Sequence, residues 1–173
     1  MKKTFPEELS VNVFDLIGNE WMLITAGEPG KFNTMTASWG GLGHLWDRNV
    51  SFCFVRPQRY TFEFMERSTR YSLCFFGHGH RAALNYCGTH SGRDVDKVKA
   101  AKLTPLFTAK GTPYFAEARL VLECRKLYAQ FLDESSFVDT SIPGAVYPGK
   151  DFHRLYVGEI EQCLSFPADA RRS

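Results

Sequence analysis

The chain has 173 residues, of which 44% are apolar and 14% aromatic, and its formal net charge is only +2. This length supports one domain with a real core and is too short for two comfortable ones, so residues 1–173 are expected to form a single domain. No block of like charges occurs, which argues against a nucleic-acid binder, and no apolar run is long enough to cross a bilayer.

At the N-terminus, MKKTFPEELSVNVFD places Pro6, Glu7 and Glu8 where a secretion signal needs an apolar run, so a cytoplasmic protein is expected. Five cysteines, Cys53, Cys74, Cys87, Cys124 and Cys163, are scattered with no CxxC. An odd number in a chain without an export signal reads as reduced, buried thiols rather than disulfides or iron–sulfur ligands.

The first strand expected is Trp21 to Ala26, closed by the turn signal Gly27-Glu28-Pro29-Gly30. A second begins near Phe32 and runs into NTMTASWGGLGHLW, Asn33 to Trp46. This is an unusual strand, because glycine and serine weaken a strand interior unless something approaches the backbone closely. Asn49 to Arg56 alternates, with Phe52 and Phe54 on one face and Ser51, Cys53 and Val55 on the other, and Pro57 ends it. Thr61 to Ser68 reads as a short helix capped by Thr61, and Tyr71 to Phe76 as a strand ended by Gly77. Arg81 to Tyr86 and Asp94 to Leu103 read as helices, the second capped by Asp94 with its lysines toward water.

Phe115 to Phe131 fits two periods. Leu120, Leu122 and Cys124 alternate as a strand, yet Leu120, Cys124, Leu127, Tyr128 and Phe131 would also line a helix face. The apolar parity switches at Leu127, as a β-bulge near Arg125 and Lys126 would produce, and a strand is therefore expected. Arg154 to Leu164 alternates with Gly158 inside it. At least six strands and three short helices without a βαβ rhythm predict a mainly β chain, a barrel with helices over its ends.

Three stretches could hold an anion or a flat ring. In Arg56-Pro57-Gln58-Arg59-Tyr60-Thr61 two arginines precede a helix start, which reads either as a solvated turn or as an oxyanion site. Ser91-Gly92-Arg93-Asp94 leads into a helix with Lys97 in its first turn, where a cation is disfavoured by roughly 0.3–1 kcal/mol unless an anion joins it. In the third, Asn33, Thr34, Thr36 and Ser38 could line one wall of a slot and Trp39 could cover a planar ligand, or the tryptophans could be core residues and the glycines a bulge.

NTMTASWGGLGHLWDRNVSFCFVRPQRYTFEFME, then SGRDVDK, then a strand ending VGEI, resemble in this order the flavin reductase-like family with the FMN-binding split β-barrel, and within it the flavoredoxins. The resemblance runs from about Gly18 to Ile160. It implies a homodimer of split barrels holding FMN noncovalently near the subunit interface. Position by position it implies that Asn33, Thr36, Ala37, Ser38 and Trp39 line the isoalloxazine and ribityl chain. Arg56, Arg59, Tyr60 and Thr61 would bind the phosphate end, with Ser91, Gly92 and Lys97 closing over it. His153, just before the last strand, could approach the flavin. The flavin itself would carry the redox chemistry, with electrons from NADH or NADPH or, alternatively, from a redox partner protein without enzymatic turnover. A barrel that keeps the fold and binds another ligand is a third reading.

Two further patterns are set aside. Gly144 to Asp151 spells G-x-x-x-x-G-K but ends in aspartate where a P-loop needs a hydroxyl, and Gly40-Gly41-Leu42-Gly43 lacks the dinucleotide spacing. His78, His80, Cys87 and His90 match no common zinc module, and no metal is expected.

Overall fold

A computed structural model describes residues 2–165, apart from the His78 side chain. Its elements are β1 (Lys2–Thr4), α1 (Val13–Asp15) continuing into a π-helical turn (Leu16–Glu20), β2 (Met22–Glu28), β3 (Lys31–Ala37), β4 (Gly40–Leu45) and β5 (Arg48–Val55). Then come α2 (Tyr60–Arg67), β6 (Arg70–Phe75), α3 (Arg81–Thr89), α4 (Lys97–Ala100), β7 (Pro105–Phe107) and β8 (Pro113–Phe115). The chain continues through β9 (Leu120–Phe131), α5 (Ser141–Val146) and β10 (Arg154–Ser165).

The main sheet is antiparallel in the order β3-β2-β6-β9-β10-β5-β4, with β1 beside the far end of β10 and β7-β8 a separate hairpin. The first and last strands of this order, β3 and β4, are consecutive in the chain and joined only by Ser38 and Trp39. A twisted sheet whose two rims are tied by two residues must curl back on itself, which makes a barrel split along one seam.

Local chemistry accounts for the turns. Pro29 and Gly30, the latter at φ 82°, make the two-residue link from β2 to β3. Trp46 and Asp47 both sit at φ 54° and link β4 to β5, the backbone signature of a type I′ hairpin without its usual glycine. Gly40 opens β4 at φ 156°, and a Cβ there would stand 2.5 Å from the Phe52 carbonyl oxygen. The odd composition of Asn33 to Trp46 is thereby explained in part: the segment is two strands and the seam between them.

Inside the barrel lie Met22, Ile24 and Ala26 of β2, Cys53 and Val55 of β5, Tyr71 and Leu73 of β6, and Leu122 and Cys124 of β9. A second cluster, with Leu23, Cys74 and Val121 on the outer face, packs under Leu84 and Cys87 of α3. Covering each such leucine contributes roughly 1.5–3 kcal/mol, and this fixes α3 against the outer face of the sheet. β5 turns its small residues Ser51 and Cys53 inward and leaves Phe52 and Phe54 half-buried outside.

The strand reading of Leu120 to Phe131 holds, and Leu127 is the bulged residue: Val157 pairs with Tyr128 while the next residue, Gly158, pairs with Lys126. Four expectations are corrected. Asp94 does not cap a long helix. Its N–H and that of Val95 both turn back to the Ser91 carbonyl, and Asp96 caps the four-residue α4 by accepting from Lys99 N–H at 3.0 Å. Lys97 faces inward, not toward water. Thr61 lies one residue inside α2, whose cap position is Arg59. β4 is a strand of its own, and the helical Val13–Glu20 region went unanticipated. Among the described residues no helix is long and apolar enough to cross a membrane.

Candidate functional site

A cleft of about 280 Å³ opens beside the seam. One side is the end of β3 and the joint itself, Thr36, Ala37, Ser38 and Trp39, with Met35 beneath. The other side is Phe54 and Arg56 from the end of β5, Arg59, and His153 from the start of β10. The seam thus places the Ser38 hydroxyl and the Trp39 indole, which is 49% exposed, at the mouth of the cleft.

β3 is pinned from both sides. Thr36 Oγ1 donates to the Leu84 carbonyl of α3 at 2.5 Å, and the hydroxyls of Thr34 and Thr25 are 2.8 Å apart in the core. Asn33 Nδ2 donates to Thr61 Oγ1 of α2 at 2.8 Å, both residues being buried.

The predicted residues fall into two adjoining hollows. Thr36, Ala37, Ser38, Trp39, Arg56 and Arg59 line the cleft, whereas Asn33, Tyr60, Gly92 and Lys97 line a neighbouring groove of about 850 Å³. Thr61 is fully buried between them, and Ser91, beside Gly92, accepts the Arg93 N–H on its hydroxyl at 3.1 Å. Gly92 presses on the Asn33 amide: a Cβ there would stand 2.2 Å from Asn33 Oδ1.

The hollows meet at two cations. Arg59 donates to the Gly88 carbonyl at 2.8 Å and to the Cys87 carbonyl at 3.5 Å, and Lys97 Nζ donates to the same Cys87 carbonyl at 3.2 Å and to that of Thr34. The C-terminal end of α3 therefore gathers both charges, as its partial negative charge favours. Among the described residues neither cation has a carboxylate partner. Burial brings the Lys97 ammonium down to about 8, Cys87 opposing it and the Arg59 charge adding a smaller push in the same direction, and burial lowers Arg59 as well. A buried and a half-buried cation resting on carbonyl oxygens alone form a place where an incoming anion replaces weak partners with a strong one.

Arg56 is differently placed. It pairs with Asp151 at 2.5 Å, donates to the Val146 carbonyl at 3.0 Å and lies over the Tyr147 ring, so its charge is already answered by the segment after α5. The same segment orients His153, whose Nδ1 is 2.8 Å from the Tyr147 hydroxyl and whose ring packs 5.1 Å from Trp39. Burial and the Arg56 charge push the imidazole down to about 4, so it is neutral at physiological pH.

Phe54, Tyr147 and Asp151 were not singled out from sequence. Phe54 could have been, since alternation puts it on the outward face of its strand; Tyr147 sits only six residues before the His153 it holds but in no periodic pattern, and Asp151 acts on Arg56 across 95 residues and leaves no local signal. Of the histidine group, His80 packs on Phe76, His90 stacks on Tyr86 and Cys87 is buried, while the His78 side chain lies outside the described residues. No three metal-ligating side chains come together among the described residues. The P-loop-like run starts inside α5 and ends at the Asp151 that binds Arg56, so no helix follows it to receive a phosphate. All five cysteines are buried, and burial pushes each thiol up, to about 12 for Cys53, Cys74 and Cys163.

Comparison with known proteins follows the same lines. A family model described as "Flavin reductase like domain" matches residues 14–172. Among solved structures, the chain is similar to an FMN-binding protein from Thermus thermophilus with bound p-hydroxybenzaldehyde (20% identity, 97% of this chain and 83% of that one, TM-score 0.68). It is similar to the flavoredoxin of Methanosarcina acetivorans (23% identity, 92% and 76%, TM-score 0.66). It is also similar to an NADH:FAD oxidoreductase of Streptomyces globisporus C-1027 in complex with NAD and FAD fragments (16% identity, 86% and 76%, TM-score 0.64). No curated protein matches the chain.

Proposed function

The chain belongs to the flavin reductase-like domain family, and from that premise we propose that it binds FMN noncovalently and works as an FMN-dependent oxidoreductase. The observation that carries this reading is the meeting of half-buried Arg59 and buried Lys97 on the Cys87 carbonyl, neither with a carboxylate among the described residues, beside a cleft walled by backbone, hydroxyls and an indole. A phosphate-bearing planar molecule fits that chemistry at both ends. Thr36, Ala37, Ser38 and Trp39 would hold the ring and ribityl chain. Arg59, Lys97 and the Ser91-Gly92 turn would hold the phosphate, with Asn33, Tyr60 and Thr61 fixing their positions. Bound FMN would supply the electron-transfer chemistry.

The chain's own residues then exclude water and orient the second substrate. Trp39 and Phe54 give the cleft aromatic walls, and His153, neutral and held by Tyr147, offers one ring nitrogen for a hydrogen bond without adding charge. A nicotinamide from NADH or NADPH would enter here. Similarity to flavoredoxins favours a second reading, in which a redox partner protein delivers electrons and no nicotinamide binds. A homodimer is part of the proposal, because Phe14, Trp46, Tyr128 and Phe131 are exposed aromatics that a second copy could cover.

Purified protein, stripped of flavin, is expected to bind FMN more tightly than riboflavin and to show bleaching of bound flavin when NADH or NADPH is added without oxygen. Equal affinity for the two flavins would sink the phosphate assignment. Bleaching only with a partner protein would select the second reading, and light scattering reports the dimer.

A further inference from the structure

β3 starts at a further hollow, at the opposite end of the strand from the cleft and bordering the groove at Lys31 and Phe64. Three turns close round a recess of about 410 Å³: the β2–β3 turn brings Lys31, the α2–β6 junction brings Arg67, Ser68 and Arg70, and the β7–β8 turn brings Lys110. Two of these cations are held in place. Arg70 Nε and Lys110 Nζ both donate to Glu161 Oε2, at 3.0 and 2.8 Å, so their charged heads converge on one oxygen atom.

That carboxylate is shared further, through its other oxygen. Glu161 also binds Arg125 at 3.1 Å, and Arg125 and Arg48 share Glu159, so four cations stand on two carboxylates. At the rim Lys31 and Arg67 face Glu28, while Glu63 lies 2.6 Å from Arg93 and only 3.7 Å from Arg67. Beneath the recess Thr112 donates to the buried Glu123. Of the charges that line the recess or bind its lining directly inside it, four cations, Lys31, Arg67, Arg70 and Lys110, stand against two carboxylates, Glu28 and Glu161, a local excess of two.

We propose that this recess is a second ligand site, separate from the flavin cleft, that takes the phosphate monoester of a small molecule. A phosphate dianion matches the charge excess, and its oxygens suit converging arginine and lysine heads. The volume falls within the range of small-molecule sites, and Phe64 and Pro29 give the organic part an apolar wall. The recess is concave, which favours a small ligand over a flat acidic protein surface.

The test is a ¹H–¹⁵N titration of the full chain, loaded with one equivalent of FMN and freed of excess, using phenyl phosphate and then inorganic phosphate. Phenyl phosphate should shift the Ser68, Gly111 and Thr112 amides saturably, leave Ala37 and Trp39 unmoved, and bind more tightly than inorganic phosphate. Arg70→Gln with Lys110→Gln should weaken it about ten-fold or more. If that pair does not fold, Lys110→Gln alone, on an exposed turn, should weaken it about three-fold or more. Shifts confined to the cleft, equal affinity for the two probes, no saturation, or unchanged affinity in the folded variants would overturn the site. Because the reporting amides differ from those of the cleft, failure of FMN to bind leaves this result readable.

Discussion

Asn33 of β3 donates to the hydroxyl of Thr61 in α2 across 2.8 Å, and Gly92 packs against the same amide. One hydrogen bond and one close approach therefore join at Asn33 all three stretches that sequence marked as ligand-binding. Asn33→Ala leaves the fully buried Thr61 hydroxyl without this partner and should cost about 1–3 kcal/mol in urea unfolding. An unchanged midpoint would show that the bond does not hold the two elements together.

Lys97 should make stability and FMN affinity respond to alkaline pH in opposite directions. Its folded value of about 8 lies below the ordinary 10.5, so between these the unfolded chain binds more protons and stability rises with pH. Binding of phosphate requires the ammonium, so FMN affinity should fall as pH rises above 8 while riboflavin affinity does not. Lys97→Met should abolish the stability rise from this residue and weaken FMN by roughly 10- to 150-fold, the loss of one charged hydrogen bond. Parallel pH profiles for FMN and riboflavin would contradict it.

His153 should titrate near 4 instead of 6.5 in an NMR pH series of its imidazole. Across that interval the unfolded chain takes up the proton first, so this residue lowers stability as pH falls from 6.5 toward 4 and contributes nothing to pH dependence above it. His153→Gln should flatten that acid limb. A midpoint above about 7 would mean that the imidazole is mainly charged in the cleft at neutral pH, and the neutral hydrogen-bonding role fails.

Gly158 has no room for a side chain, since a Cβ would stand 2.3 Å from the Tyr71 hydroxyl and 2.9 Å from its ring carbon. Tyr71 is fully buried and its hydroxyl is 2.9 Å from Ser51 Oγ, so it cannot swing away. Gly158→Ala should destabilise by about 1–3 kcal/mol, and adding Tyr71→Phe, which removes the nearest atom, should recover part of that. Strict additivity of the two changes would show that they do not meet.

Period-two alternation made β5, β9 and β10 legible, and even the bulge at Leu127 was marked by a change of parity. Alternation reports which face is buried, and in this barrel that is nearly all a strand needs. The cap positions were less legible, because Asp94 and Asp96 offer the same chemistry two residues apart and only the Ser91 turn decides between them. β4 was hidden because its small residues carry little hydrophobic signal, and the unusual Trp46-Asp47 turn gave no glycine to announce it. Within the site, sequence named the β3 wall and the Arg59–Lys97 neighbourhood. It could not show that Arg56 is already occupied, since Asp151 lies 95 residues away.

The two-residue joint between β3 and β4 also limits how the chain can vary in length. Side chains alternate faces along a strand, so one residue inserted between Ala37 and Gly40 would either exchange the inner and outer faces of β4 or bulge the seam, displacing Trp39 from the cleft in both cases. Lengthening the exposed turn at Asp133–Asp139 disturbs no register. Descendants of this chain can therefore acquire new specificities at Ser38 and Trp39 by substitution, whereas insertions and deletions are confined to segments outside the seam.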